Sequence, residues 1–582
     1  MSENAPLIPV QQALAAEVNA VVAGLLDDAP TVSVDKSKPE FSSDFQSAAA
    51  MQLVKILRRN PRQIAQQIVD GLADSALFDA PDISGPGFIG FRLSDATLQR
   101  YLAGMLASDR LGVPTTGEGT VVIDFSSPNV AKRMHVAHIR STVIGDALRR
   151  LGTFVGHRVI ADNHIGDWGT QFGQLIWAWK HWRDDEAFAA DPVPELERIY
   201  VKFNKTLEET PENQDLARAE LAKLQAGDPE NLAIWNLMID SSREAFDSVY
   251  RRLDVHFDVT YGESHYNDML QDLVVEMLDA GHAEISDGAA VVFFRDDDGE
   301  DVMPPFLVRK KDGAALYATT DIATVRYRVA EWDPVRIVYV TDTRQQNHFR
   351  QLFATVQRMG VTTRLDHVWF GMMSLPEGAF STRKGNAPSL HGLLDEAERR
   401  ARAQQEARIE QTGDTSWSDE ELDELARVIG LGGVKYSDLH NNPQSNITFS
   451  FDKMLSLEGN TAVYLQYTSA RTHSLIRKAA SHGRAADGTT LKLVEPQERE
   501  LLLHAMDFGR AVNAAWDQGK PNLLATHLYE LASRYHSFYQ ACPVLKSEDE
   551  ELIVSRLNLN LLTQRTLVLG LSLLGIEAPE RM

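Results

Sequence analysis

A short apolar stretch, Thr120 to Phe125, runs through a loop into a helical pattern that opens near His138. A second apolar stretch, His157 to Ala161, follows directly. Between them Ile139, Val143, Ile144, Ala147, Leu148 and Leu151 recur at the spacing of one helix face, and Gly156 closes the helix. Strand, helix and strand in about 40 residues make a βαβ unit. Such a unit forces its two strands parallel and directs the start of the helix to the carboxyl ends of the strands. The chain is therefore predicted to build an α/β fold around a Rossmann-type parallel sheet.

Around this unit the pattern changes three times. Residues 1–112 carry amphipathic helices, Ala48 to Leu57 and Arg62 to Leu72, a glycine-rich turn at Ser84 to Gly90 and a connecting helix, Leu98 to Ser108. This reads as an N-terminal α+β domain. Residues 113–388 hold the parallel sheet, with strand signals returning at Ala289 to Phe294, Phe306 to Arg309 and Arg336 to Val340. A charged helical stretch, about 180–252, reads as an insertion into that sheet. From Ser389 onward only helical pattern is present, which predicts an all-α bundle over 389–582.

Gly85-Pro-Gly-Phe-Ile-Gly90 formally matches a dinucleotide-binding string, but Pro86 removes an N–H and Phe91-Arg-Leu93 continues as strand. It reads as a turn, and the acidic run Asp296 to Glu300 as a hairpin turn. No Walker A loop is present.

With 43% hydrophobic and 24% charged residues, the 582-residue chain is that of a folded protein of several domains. Its one cysteine, Cys542, excludes an internal disulfide and a cysteine-based zinc cage, and fits a reducing cytoplasm. The first residues lack a signal-peptide pattern, and the apolar run Leu567 to Ile576 is far short of the ~20 residues of a membrane helix. A formal net charge of −24 opposes nucleic-acid binding by the molecule as a whole, though not by one locally basic face.

The chemistry concentrates in Asp124-Phe-Ser-Ser-Pro-Asn-Val-Ala-Lys-Arg-Met-His-Val-Ala-His138, which sets two histidines three apart where the first strand runs into the first helix. A helix start offers free N–H groups and a positive dipole end, a seat for a triphosphate. His135 and His138 can donate to its oxygens, and the small Ala137 between them leaves room for an adenine ring. Two histidines alone do not make a metal site, and no further ligands stand at helical spacing.

This run resembles the HIGH signature of class I aminoacyl-tRNA synthetases, and its surroundings resemble the arginine enzyme of that class. FSSPNVAKRMHVAHIRST, NHIGDWGTQFG, FDVTYGESHY, LYATTDIA, FSTRKGN, FSFDKMLSLEGNTAVYLQYTSAR and the terminal PERM carry the likeness in order, from about residue 120 to 582. The resemblance implies ATP-dependent arginine activation, with magnesium accompanying the ATP, followed by transfer to tRNA(Arg). It also implies that adenylate formation needs bound tRNA, and that the protein is monomeric.

Residue roles follow from the same resemblance. The place of the second ATP signature, KMSKS, is taken by Ala379-Phe380-Ser381-Thr382-Arg383, without the usual lysines. Lys132 supplies a cation from the HIGH side, and Arg383 and Lys384 add to it. Ala137 stands where glycine is usual. The arginine pocket falls to Asp124, Asn129, His164, Asp167, Tyr317, Asp321 and Gln345, with Asp124 where glutamate is general. Acceptors, carboxylates above all, suit a planar guanidinium with five donors, and Tyr317 and Asp321, four apart, share a helix face. Tyr464, Arg471 and Met582 are assigned to tRNA, since an aromatic and a guanidinium two helical turns apart can stack a base and hold a phosphate. The N-terminal domain resembles the module that touches the tRNA elbow, with Gly90 where asparagine is frequent. Two other readings stay open: a class I synthetase for another amino acid or a related nucleotidyltransferase, which an aminoacylation assay over a panel of amino acids would reveal, and a non-catalytic tRNA-binding or regulatory paralogue, which would show no pyrophosphate exchange.

Overall fold

The computed structural model describes residues 7–26, 28–38, 41–136, 138–375, 378–379, 389–414 and 416–582. Helices α1 (Val10–Leu25), α2 (Ala49–Leu57), α3 (Pro61–Gly71) and α4 (Asp95–Leu106) surround a small antiparallel sheet. Its strands are β1 (Asp35–Lys36), β2 (Phe45–Ser47), β3 (Asp82–Ser84) and β4 (Phe88–Phe91), in the order β1-β2-β4-β3. Gly85-Pro86-Gly87 is the hairpin turn between β3 and β4, with both glycines at positive φ, and not a phosphate loop.

The central sheet is parallel, built from β5 (Thr120–Asp124), β6 (Arg158–Asp162), β10 (Arg336–Asp342) and β11 (Arg364–Phe370) in the order β11-β10-β5-β6. Helix α5 (His138–Val155) joins β5 to β6, as the periodicity predicts. The sheet is covered on both faces, so alternate residues of one strand enter different cores. Val121 and Ile123 of β5 pack beneath α5, whereas Val122 joins the core on the opposite face. Gly145 lets α5 approach closely, because a Cβ there would lie 2.2 Å from the Phe125 ring.

The insertion is helical, comprising α6 (Thr170–Trp182), α7 (Asp185–Ala190), α8 (Pro192–Glu209), α9 (Asn213–Gln225) and α10 (Pro229–Arg252), and it has its own core. A short 3-10 turn, Glu263–Met269, leads into α11 (Leu270–Asp279). Strands β7 (Glu284–Ser286), β8 (Ala289–Arg295) and β9 (Asp301–Arg309) form a separate antiparallel sheet. Asp296 caps the β8–β9 turn by accepting from the N–H groups of Asp298 and Glu300. Helix α12 (Tyr317–Trp332) returns the chain to β10, and α13 (Gln346–Arg358) joins β10 to β11.

Beyond β12 (Met373–Leu375) and β13 (Gly378–Ala379) come α14 (Leu390–Thr412) and α15 (Asp419–Leu439). The expectation of helices alone after Ser389 needs one correction. Ile447–Thr448 forms β14, which pairs in parallel with Met373 and Ser374. A two-residue strand has no period of its own, and its partner across the chain creates it. Then follow α16 (Phe451–Met454), α17 (Ala462–Ser481), α18 (Pro496–Ala505), α19 (Phe508–Asp517), α20 (Asn522–Ala541) and α21 (Glu550–Leu573). The bundle meets the N-terminal domain through charge, with Lys36 on Asp507 at 2.6 Å and Arg499 on Asp44 at 2.6 Å. No helix among the described residues is long and apolar enough to cross a membrane.

Candidate functional site

In the central sheet the chain runs from β5 outward to β6 on one side, and from β10 outward to β11 on the other. The order reverses between β5 and β10, and the crevice outside the carboxyl ends of such neighbouring strands is where open α/β sheets bind ligands. The segment from Phe125 to His135 lies there, and so does the turn Thr343–Gln345 after β10.

The loop is strained. Ser126 (φ 71°), Ser127 (φ 47°) and Ala131 (φ 60°) all occupy the left-handed region without being glycine. Surrounding groups hold them there. The Ser126 N–H donates to Ser141 Oγ at 2.8 Å, and the Ser126 hydroxyl meets Tyr250 OH at 2.8 Å. The Ser127 hydroxyl donates to Asp124 Oδ1 at 2.9 Å, and the Ala131 N–H donates to Ser242 Oγ at 2.9 Å.

The loop delivers two imidazoles to the start of α5, with ring centroids 4.0 Å apart. Burial holds the His138 ring down to about 3, and burial also lowers His135, with Lys132 and Arg344 reinforcing it and Glu197 opposing. Both rings are neutral donors at neutral pH. The Lys132 ammonium lies 4.9 Å from the Tyr200 ring centre, on the insertion. Ala137, Phe380, Ser381, Thr382, Arg383 and Lys384 lie outside the described residues.

Across the crevice a set of carboxyls gathers on three elements. Asp321 sits in the second turn of α12, where its Oδ2 receives His348 Nε2 at 2.5 Å. Asp167 is 1% exposed and receives the Ser264 N–H at 2.8 Å and the Ser264 hydroxyl at 2.7 Å. Gly262 makes this possible, since a Cβ there would lie 2.0 Å from the Asp167 carboxylate. Between these two stands Glu263, pushed up to about 8 by burial first and then by the charges of Asp321 and Asp167. Tyr317 opens the same helix as Asp321 and is 68% exposed. A half-buried carboxyl held neutral by desolvation and by neighbouring like charges marks a place that a cation would relieve. Glu263 was not singled out from the sequence, because its signal is the approach of residues more than 50 positions away on either side.

The other residues expected at the pocket stand as follows. Asn129 is exposed and its backbone bridges to Gly166, while the buried His164 Nδ1 has no hydrogen-bond partner. Gln345 is exposed at the start of α13. Asp124 is 5% exposed, and its Oδ2 is held by Arg328 at 2.6 Å. In the bundle, Tyr464 is half-buried against Tyr529, with ring centroids 5.7 Å apart, and Met582 packs on the core. The Arg471 guanidinium lies over Tyr467 and Tyr539, at 4.9 and 5.3 Å from their ring centres. Sequence reasoning passed over these two tyrosines, since Tyr539 belongs to α20 and is brought to Arg471 only by packing.

Three family models match in order: "Arginyl tRNA synthetase N terminal domain" over residues 9–93, "tRNA synthetases class I (R), catalytic domain" over 101–451 and "DALR anticodon binding domain" over 465–582. The chain belongs to the arginyl-tRNA synthetase family. It is 43% identical to an arginine–tRNA ligase of Fusobacterium nucleatum over 95% of both chains. With one of Hahella chejuensis it shares 39% identity over 98% of this chain and all of that one. Its structure is similar to the arginyl-tRNA synthetases of Plasmodium falciparum (TM-score 0.82, 26% identity, 99% of this chain and 100% of that one) and Thermus thermophilus (TM-score 0.80, 26% identity, 98% and 100%). In this arginyl-tRNA synthetase the crevice sets the two imidazoles on the α5 side and the carboxyls on the α12 side.

Proposed function

We propose that this chain joins L-arginine to tRNA(Arg) in two steps within this crevice. In the first, an oxygen of the arginine carboxylate attacks the α-phosphorus of ATP, the bond to the β-phosphate oxygen breaks, and pyrophosphate leaves. In the second, the ribose hydroxyl at the 3′ end of the tRNA attacks the arginyl carbonyl, and AMP leaves with the electron pair of the broken bond. No side chain forms a covalent bond, so the protein contributes placement and charge stabilisation.

The observation that carries this reading is the pairing of a neutral two-histidine helix start with the Asp321, Glu263 and Asp167 carboxyls at the switch between β5 and β10. His135 and His138 donate to the triphosphate, with Lys132, Arg383 and Lys384 adding positive charge, and Ala137 and Phe380 to Thr382 flank the nucleotide. Asp321, Glu263 and Tyr317 receive the guanidinium. Asn129, His164 and Gln345 hold the α-amino and carboxylate end, and Asp124 and Asp167 shape the pocket from behind. Magnesium travels with the ATP, held by phosphates and water, and no group of three or more His, Cys, Asp or Glu among the described residues is arranged to hold a metal ion.

Residues 1–112 touch the tRNA elbow, 113–388 carry the chemistry, and 389–582 read the anticodon through Tyr464, Arg471 and Met582. The enzyme works in the cytoplasm as a monomer. Labelled arginine, ATP and total tRNA test the whole proposal: arginine alone should be charged, and pyrophosphate exchange should appear only when tRNA is added. Charging of another amino acid, or none, would overturn it.

A further inference from the structure

Beneath the crevice lies an ion triad centred on Arg328, a residue that the proposed chemistry does not use. Arg328 is fully buried on α12. Its Nε and Nη2 donate to Asp162 Oδ2 at 3.0 and 2.8 Å, and Nη2 also donates to Asp124 Oδ2 at 2.6 Å. Asp124 and Asp162 are register partners at the carboxyl ends of β5 and β6. Tyr339, register partner of Asp124 on β10, has its ring centre 5.3 Å from the guanidinium carbon. One side chain thus touches three adjacent strands of the sheet.

Two carboxylates side by side and out of water repel and are poorly solvated, and the guanidinium between them offsets part of both costs, with Asp162 Oδ1 and Arg328 Nη1 left buried without a hydrogen-bond partner. Its planar fork also fixes direction, which a point charge would not. That fork is attached to the helix that carries Tyr317 and Asp321. Asp321 precedes Arg328 by two helical turns, about 10 Å along the axis, so a shift at the anchor is transmitted to the carboxylate. The other oxygen of Asp124, Oδ1, holds the loop through the Ser127 hydroxyl, a bond that does not involve Arg328.

We propose that Arg328 is a positioning residue for the amino-acid site, fixing α12 against the ends of β5 and β6 so that Asp321 and Tyr317 meet the guanidinium of the substrate. This inference rests on the reading of that site given above. A second consequence follows from the same bonds. With its Oδ2 taken by Arg328, Asp124 does not compete with Asp321 for the substrate guanidinium.

Two variants separate positioning from charge balance. Arg328→Lys keeps the charge and loses the fork. Arg328→Gln with Asp162→Asn removes the cation and one of the two anions, so this balanced variant keeps the net buried charge of the parent without the fork. Aminoacylation is measured with enzyme counted by active-site titration, so a misfolded fraction does not enter the constants. Both variants should raise KM for arginine by about tenfold or more while KM for ATP stays within about twofold, the size of effect expected from a displacement of well under 1 Å. Should the lysine variant fail to fold, the balanced variant decides alone. An arginine KM within about twofold of the parent in the balanced variant would overturn the proposal, leaving Arg328 only a counter-charge. So would a rise in both KM values together. If the parent charges no arginine, the site reading itself fails, which is a distinguishable result.

Discussion

The backbone N–H of His135 donates to Nδ1 of His138 at 3.1 Å. An accepting Nδ1 in a neutral ring leaves the proton on Nε2, so His138 presents one fixed N–H donor. Its ring is held down to about 3 by burial and by the neighbouring His135, so this donor does not titrate across the working range.

A direct prediction concerns which amide replaces it best. Glutamine places its side-chain NH2 close to the position of Nε2, whereas asparagine reaches only that of Nδ1. His138→Gln should therefore retain more activity than His138→Asn. His138→Ala should lose about 10²–10³ in kcat, the usual cost of one oriented donor at a developing charge. Pyrophosphate exchange at saturating ATP measures this, and an asparagine variant as active as the glutamine one would refute the tautomer.

Glu263 supplies the pH prediction. Its carboxyl is pushed up to about 8, so it is mostly neutral at pH 7 in the empty site. A guanidinium favours the ionised form, so arginine binding at pH 7 should release a proton, and the calorimetric enthalpy should change with the ionisation enthalpy of the buffer. Glu263→Gln should abolish that dependence and raise KM for arginine. Because the folded value lies above that of a free carboxyl, the group's contribution to stability is full below about 4.5 and lost as pH rises through about 8. The empty enzyme should thus lose thermal stability from pH 7 to 9, less so when arginine is bound. Identical apparent enthalpies in phosphate and Tris would exclude the proton release.

Much of the scaffold was legible locally. The βαβ unit, the Gly85-Pro86-Gly87 turn and the Asp296 turn follow from periodicity and turn chemistry. Glu263 and the pairing of Asp124 with Arg328 were not, because each depends on partners far along the chain. Arg328 and Asp124 are 204 residues apart. The positive-φ serines escaped for another reason, since neither carries the glycine that advertises such a conformation. β14 exists only through its partner strand.

Arg471 gives a prediction confined to the RNA. Its guanidinium is sandwiched toward Tyr467 and Tyr539, and Tyr539 is 41% exposed, so an unpaired base can extend the stack. Arg471→Ala should raise KM for tRNA by about tenfold or more, one lost stacking contact of ~1–3 kcal/mol, and leave KM for ATP and arginine unchanged. Equal KM values for tRNA in the variant and the parent would remove Arg471 from the RNA face.

Arg140 and Asp438 join α5, the helix that opens at His138, to α15. Both are 1% exposed, and Arg140 Nε and Nη2 donate to the Asp438 carboxylate at 2.9 and 3.2 Å. The same guanidinium donates to the carbonyl oxygens of Gly371 at 2.6 Å, Ser445 at 3.0 Å and Pro443 at 3.2 Å. Removing one partner of a buried pair strands the other charge, at a cost of ~3–5 kcal/mol. Asp438→Asn should fall within that range. Arg140→Met should cost more, because it strands the carboxylate and the carbonyl oxygens of Gly371 and Ser445 at once, while the Pro443 oxygen keeps the Gly371 N–H at 2.9 Å. For the same reason, pairing Arg140→Met with Asp438→Leu should recover only part of the loss, since the carbonyls still lack a donor. Chemical denaturation of the four proteins measures this, and a double variant as stable as the parent would show that the carbonyl bonds contribute nothing.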